Sequence, residues 1–276
     1  MSLLEIDDLR VAFPGRGLRA KPVEVLHGVS IDVAEGETVG LVGESGSGKT
    51  TIGRAVLGLV KPSGGHIRFG GQDIGGVQGR ARRALARDIQ VVFQDPYTSL
   101  NPSLTVGDIL AEPLIVQGAT AKDARARVRL LLDQVGLPSD SVDRMPREFS
   151  GGQRQRVAIA RALAPRPTLI VCDEPVSALD LSTQARVMDL FIEIQRETGV
   201  AYLFISHDLS VIRHISHRVA VLYRGDLVET GDAPTVTSAP AHPYTQKLLL
   251  AAPVADPGRQ SARRAERARL IGAQSA

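Results

Sequence analysis

The chemistry-bearing core of this sequence is the run Val42-Gly-Glu-Ser-Gly-Ser-Gly-Lys-Thr-Thr51, in which Gly43, Gly48, Lys49 and Thr50 are spaced as Gly-x-x-x-x-Gly-Lys-Ser/Thr. That spacing suits phosphate capture. Small residues let the backbone N–H groups of Glu44, Ser45, Gly46, Ser47 and Gly48 close around an anion, and a helix start behind them adds partial positive charge. Lys49 would reach the β- and γ-phosphates, the Thr50 hydroxyl would ligate Mg²⁺, and Thr51 stands beside them. At an effective dielectric of 20, one ammonium–phosphate contact at 4 Å is worth about 4 kcal/mol before desolvation. A glycine-rich turn without chemistry is the alternative. The β-prone run Val39–Val42 before the loop and the helix-compatible segment 51–59 after it favour the phosphate loop. The expected ligand is a nucleoside triphosphate.

Other polar groups sit where strands should end. Leu169–Cys172 reads as a buried strand that stops at Asp173-Glu174-Pro175. Adjacent carboxylates there can divide labour: Asp173 to hold Mg²⁺, often through water, and Glu174 to polarise an attacking water. Val200–Ile205 ends in Ser206-His207-Asp208, so His207 could hydrogen-bond a γ-phosphate, and Ile89–Phe93 delivers Gln94 as a candidate for Mg²⁺ or the attacking water. Ser150-Gly151-Gly152-Gln153 opens a helix running to about Leu163 and makes a second anion-compatible helix start, which is also an ordinary helix cap. Phe13 is the only aromatic residue upstream of Lys49; core packing and stacking on a purine both suit it.

The elements that must carry these groups follow from periodicity. Leu3–Phe13 and Val23–Val33 predict strands, two or three antiparallel strands being expected ahead of the phosphate loop. Gly64–Gly71 predicts a further short strand, and Arg80–Arg87 a basic helix. From Val106 to about Met145 apolar residues recur at helical spacing, with Thr120 and Asp123 as a helix start and Gly136 and Pro138 as a stop, so an all-helical insert is expected in an otherwise alternating chain. A helix from Thr183 to Thr198 and a closing hairpin around Arg224-Gly225-Asp226 complete the pattern.

Composition bounds the rest. The chain has 276 residues and a net charge of +3, with arginines clustered at 80–87 and 263–269, which could face nucleic acid or anionic lipid but are more often solvated helix faces. No apolar run approaches the ~18 residues of a membrane span, and no signal-peptide pattern opens the chain, so a cytoplasmic location with at most peripheral membrane contact is expected. A single cysteine, Cys172, excludes an internal disulfide and a four-cysteine cluster.

In order, the phosphate loop 43–50, Gln94, Ser150–Gln153, Asp173-Glu174, Asp180 and His207 resemble the nucleotide-binding subunits of ABC transporters over about residues 3–232. The segment Gln94–Leu114 and the stretch Ala241-His242-Pro243-Tyr244-Thr245 with Leu248–Pro253 resemble the oligopeptide/dipeptide importer branch, which also includes nickel and other metal-chelate importers. Phe149 stands where that family usually has Leu, and residues 16–21 lengthen the loop after Phe13.

The resemblance implies an α/β fold: a P-loop NTPase cassette with a RecA-like core, an N-terminal antiparallel β subdomain and an all-helical subdomain at about 100–165, together spanning 1–232. An importer-type extension at 233–257 and a flexible tail at 258–276 are expected. It also implies an ATPase whose cofactors are ATP and Mg²⁺, the metal held by Thr50, Gln94 and Asp173 and catalysis resting on Glu174, His207 and Gln94. Two cassettes, identical or homologous, would sandwich ATP between one chain's phosphate loop and the other's Ser150–Gln153, with Asp180 at the interface. Partners would be two transmembrane permease subunits and, through them, an extracytoplasmic solute-binding protein, at the cytoplasmic face of a bacterial membrane. Peptide uptake is the leading expectation, metal-chelate uptake the runner-up. A soluble ABC ATPase acting on nucleic acid or ribosomes is the rival of another class, and the lack of a long heptad insert, of cysteine pairs and of a second cassette argues against a nucleic-acid partner.

Overall fold

The computed structural model describes residues 2–15, 17 and 21–251. The tail at 258–276, the arginines at 263–269 and most of the lengthened loop at 16–21 lie outside the described residues.

In chain order, β1 (Ser2–Phe13) and β2 (Val23–Ala34) precede β3 (Thr38–Val42) and helix α1 (Lys49–Val56). Then come β4 (Gly64–Phe69), β5 (Gln72–Asp73), α2 (Gly79–Leu85), β6 (Ile89–Val92) and the short α3 (Pro96–Ser99). The helical stretch holds α4 (Val106–Val116), α5 (Ala121–Gln134) and two 3₁₀ turns, and α6 (Gly151–Leu163) leads back to β7 (Leu169–Asp173). Next are α7 (Leu181–Thr198), β8 (Ala201–Ser206), α8 (Leu209–Ile215), β9 (Arg218–Tyr223) and β10 (Asp226–Asp232). Last come α9 (Ala233–Ser238) and α10 (Pro243–Ala251).

Two sheets result. The smaller, ordered β2-β1-β4-β5, is antiparallel; the larger is ordered β10-β9-β3-β8-β7-β6 and is parallel except at β10. The expected antiparallel strands ahead of the phosphate loop are β1 and β2, and β4 and β5, which follow the loop, complete their sheet.

The parallel strands are mostly apolar because both faces are covered. Alternate residues feed two separate cores. Ile170, Cys172, Tyr202 and Phe204 point to the helical side, whereas Val171, Leu203 and Ile205 face the smaller sheet and α1. On the helical side the Phe191 ring meets Tyr202 and Phe204 edge-on at 5.5 and 5.6 Å, a geometry worth about 0.5–1.5 kcal/mol per pair beyond burial. Because these strands pair in parallel, their C-terminal ends lie on one rim.

Caps explain where helices start. Thr105, Thr120, Ser150 and Asp180 each accept a backbone N–H from three residues on. The arginine-rich α2 buries no residue, but Arg82 reaches back to the Val56 carbonyl at 2.6 Å and closes the end of α1. One member of that cluster is therefore a structural tie.

Candidate functional site

The loop between β3 and α1 has a shape that only its residues permit. At Gly43, with φ +159, an added Cβ would lie 2.2 Å from the Leu222 carbonyl oxygen. Gly48 caps α1 at φ +107, and a Cβ there would meet Leu26 at 2.6 Å. The helix begins at Lys49, two residues earlier than the Thr51 start expected from sequence. Lys49 is 4% exposed, and its Nζ donates to the carbonyls of Gly43 at 2.7 Å and Glu44 at 2.8 Å. Burial lowers its pKa, opposed by the charges of Glu174, Asp173 and Glu44.

Beside the loop, Thr50 Oγ1 donates to Asp173 Oδ1 at 2.9 Å. Burial raises the Asp173 carboxyl, with the Thr50 hydrogen bond acting the other way. A hydroxyl and a carboxylate held side by side next to phosphate-binding amides are hard oxygen donors, and they fit Mg²⁺. Glu174 has φ +49, a left-handed backbone costly for a non-glycine residue, and its N–H donates to the Ile205 carbonyl at 3.0 Å. That link to β8 turns its carboxylate toward His207, whose Nδ1 lies 3.0 Å from Glu174 Oε2. A cavity of about 360 Å³ is lined by Phe13, Ser45, Gly46, Gly48, Lys49, Thr50, Thr51, Arg54 and Glu174. Phe13 is 40% exposed there, so core packing is not its role.

The remaining candidates stand apart. Gln94 follows β6 on the rim where the neighbouring β7 delivers Asp173, but it is exposed and, among the described residues, makes no side-chain hydrogen bond. Ser150 and Gln153 close a capping box, Gln153 N donating to Ser150 Oγ at 3.3 Å and Ser150 N to Gln153 Oε1 at 2.9 Å. Gly152 lets α7 approach α6; a Cβ there would lie 2.3 Å from Thr183 Cγ2, whereas Gly151 has its nearest neighbour at 3.7 Å. Ser150, Gly152 and Gln153 line a second cavity of about 250 Å³ that shares no residue with the first. Asp180 caps α7 through Thr183 N at 3.0 Å and accepts the Ser182 hydroxyl at 2.7 Å, which holds its carboxyl well below the usual range.

Two residues escaped the sequence reading. Arg54 lies one helical turn beyond Thr50, so the i, i+4 spacing on α1 would have found it on the cavity wall. Tyr244 enters the sequence reading only within the stretch 241–245, yet its hydroxyl accepts the backbone N–H of Glu44 at 2.9 Å. Any residue but proline supplies a backbone N–H, so no sequence signal marked that contact.

Comparison with known proteins agrees with this geometry. Residues 26–177 match the family model described as ABC transporter, and residues 228–273 match the oligopeptide/dipeptide transporter C-terminal region. The glutathione import ATP-binding protein GsiA of Escherichia coli is 52% identical over 267 residues, covering 95% of this chain and 43% of the relative. The protein of that name from Pectobacterium atrosepticum is 52% identical over 263 residues, 94% of this chain and 42% of the relative. The chain thus spans less than half the length of these curated relatives. Among solved structures, a dimeric ATP-binding cassette in a post-hydrolysis state with ADP and Pi superposes with a TM-score of 0.74 at 29% identity, covering 83% of this chain and 98% of that one. The cbiO1 protein of Clostridium perfringens, part of the ABC transporter complex cbiONQ, gives a TM-score of 0.76 at 26% identity, over 86% of this chain and 91% of that one. From its loop geometry, its two sheets and both family matches, the chain belongs to the ABC transporter ATP-binding family, in its oligopeptide/dipeptide branch.

Proposed function

We propose that this chain is the ATP-hydrolysing subunit of an ABC importer that drives uptake of short peptides through a membrane permease. The observation that carries hydrolysis is the convergence of Lys49, Thr50, Asp173, Glu174 and His207 on the rim of one parallel sheet.

In this reading the loop amides of Ser45, Gly46 and Gly48 and the Lys49 ammonium hold the phosphates, the Glu44 N–H being taken by Tyr244, and Phe13 stacks on the base in the same cavity. Thr50 and Asp173 hold Mg²⁺, with Gln94 as a further ligand; when bound it neutralises charge on the phosphate oxygens. Glu174 orients the attacking water and accepts its proton, and His207 holds the Glu174 carboxylate and reaches toward the terminal phosphate. Little covalent chemistry is needed, since phosphoryl transfer is catalysed mainly by positioning and charge stabilisation.

The two unconnected cavities support a two-chain arrangement, in which Ser150–Gln153 of one cassette closes over the nucleotide of another and Asp180 lies at their contact. Among the described residues no helix is long and apolar enough to cross a membrane. In this reading the cassette sits peripherally on a permease. We take the cassette to be residues 1–232 with its helical part at about 100–165, followed by the 233–257 extension.

The substrate reading rests on the match of 228–273 to the oligopeptide/dipeptide region and on relatives named for import of glutathione, itself a tripeptide. Reconstitution with the permease and separately loaded solute-binding proteins tests it. Peptide- or glutathione-loaded binding protein is expected to stimulate ATP hydrolysis. Stimulation by nickel-loaded protein and by neither peptide would overturn the substrate assignment.

A further inference from the structure

The C-terminal helix touches the phosphate loop directly. Tyr244, 8% exposed on α10, accepts the Glu44 N–H at 2.9 Å, while the carbonyl of the same Glu44 accepts Lys49 Nζ at 2.8 Å. One loop residue is therefore held on one side by the helix that ends the described chain and on the other by the phosphate-facing lysine. The Tyr244 ring packs on Tyr223 with centroids 4.2 Å apart, and the hairpin just beyond Tyr223 donates Gly225 N to the Ser47 carbonyl at 3.0 Å.

Nor does α10 lie loosely. Its start is fixed by Glu229 of β10, whose carboxylate accepts the N–H of Ala241 at 2.7 Å and of His242 at 3.1 Å. His242 Nδ1 in turn accepts the Tyr244 N–H at 3.2 Å, and Leu248 and Leu249 pack on the helical-side core.

We propose that Tyr244 is a positioning residue for the phosphate loop, and that through it the C-terminal helix sets the loop's affinity for the triphosphate. This rests on the nucleotide reading above. A hydroxyl that only holds a loop ready should act equally on ground and transition states, so its loss shows in binding and not in turnover.

The test is Tyr244→Phe in the full chain, which keeps the ring against Tyr223 and deletes the acceptor. Mg-ATP affinity is measured by titration, with steady-state KM and kcat, nucleotide-free Tm, and Lys49→Ala in parallel. The expected result is Kd and KM raised about three- to tenfold, the range for losing one hydrogen bond, with kcat within twofold of wild type and nucleotide-free Tm nearly unchanged. Glu229→Ala, which frees the helix start but keeps the hydroxyl, should shift Kd in the same direction by less. Wild-type affinity in Tyr244→Phe, or a fall in kcat with KM unmoved, overturns the proposal. If Lys49→Ala also binds Mg-ATP normally, the nucleotide reading itself fails; if Lys49→Ala alone loses binding, only the role of Tyr244 does.

Discussion

Glu174 Oε2 and His207 Nδ1 lie 3.0 Å apart across 33 residues of sequence, each just beyond a neighbouring parallel strand of the larger sheet. The pairing places one carboxylate between a histidine and the phosphate-loop cavity, with 18% of its side chain exposed against 55% for His207. Glu174→Gln keeps the shape but removes the proton acceptor. Turnover is expected to fall by about 10²–10⁴, with Mg-ATP affinity within about twofold, because Lys49, Thr50 and Asp173 are untouched. Turnover and equilibrium binding measured on the same preparation decide it; near-normal turnover removes Glu174 from the reaction.

Asp173 gives a prediction of opposite sign for stability. Burial raises its folded-state pKa above the ordinary carboxylate value. A raised pKa favours the folded state below the unfolded value, and that contribution is lost as pH rises through the folded one. At neutral pH the charged carboxylate therefore costs stability. Asp173→Asn, which can still accept the Thr50 hydroxyl, should raise the nucleotide-free Tm at pH 7 and lose that advantage in acid, while Mg²⁺-dependent hydrolysis collapses. Thermal unfolding of both proteins across pH 4 to 8 reads this out. A variant less stable than wild type at pH 7 would show that the charge is compensated.

Much of this was legible because parallel strands buried on both faces are written as unbroken apolar runs, as at Leu169–Cys172 and Val200–Ile205. The groups at their ends, Asp173, Glu174 and His207, could be placed on one rim from that alone. Glycine spacing announced the phosphate loop, since Gly43 and Gly48 occupy points where any Cβ would strike Leu222 or Leu26. What stayed hidden is long-range and made through backbone atoms. Tyr244 reaches Glu44 N across 200 residues and Arg82 reaches the Val56 carbonyl across 26, and neither contact leaves a pattern of residue types. The left-handed backbone of Glu174 was equally silent, because it is imposed by the link to Ile205 on β8.

In the proposed reading, Phe13 separates base recognition from phosphate recognition. It lines the same cavity as the loop and is 40% exposed, so its ring is accessible for stacking. Phe13→Ala should weaken ATP binding about fivefold or more, the range for losing one base–aromatic stack, and leave inorganic tripolyphosphate binding unchanged. Phe13→Trp should preserve ATP binding. Equal losses for both ligands would mean that Phe13 supports the loop and not the base.

Ser150 tests the two-chain arrangement. It is exposed at the start of the 13-residue α6, where its hydroxyl accepts Gln153 N and the first amides of the helix face outward. Its cavity and the phosphate-loop cavity have no lining residue in common, so within one chain Ser150, Gly152 and Gln153 line a cavity separate from that of the phosphate loop. Ser150→Arg should therefore leave Mg-ATP binding to the monomer within about twofold, yet block an ATP-dependent dimer by filling the gap that a partner's terminal phosphate enters. Losing the cap costs about 1 kcal/mol, which a drop in Tm will show without unfolding the chain. The decisive comparison is mass in solution with Mg-ATP for Glu174→Gln and for the Glu174→Gln, Ser150→Arg double variant. Glu174→Gln is expected to dimerise and the double variant to stay monomeric. A dimer that persists in the double variant, with ATP bound, would place the contact elsewhere on the surface and sever Ser150 from the partner's nucleotide.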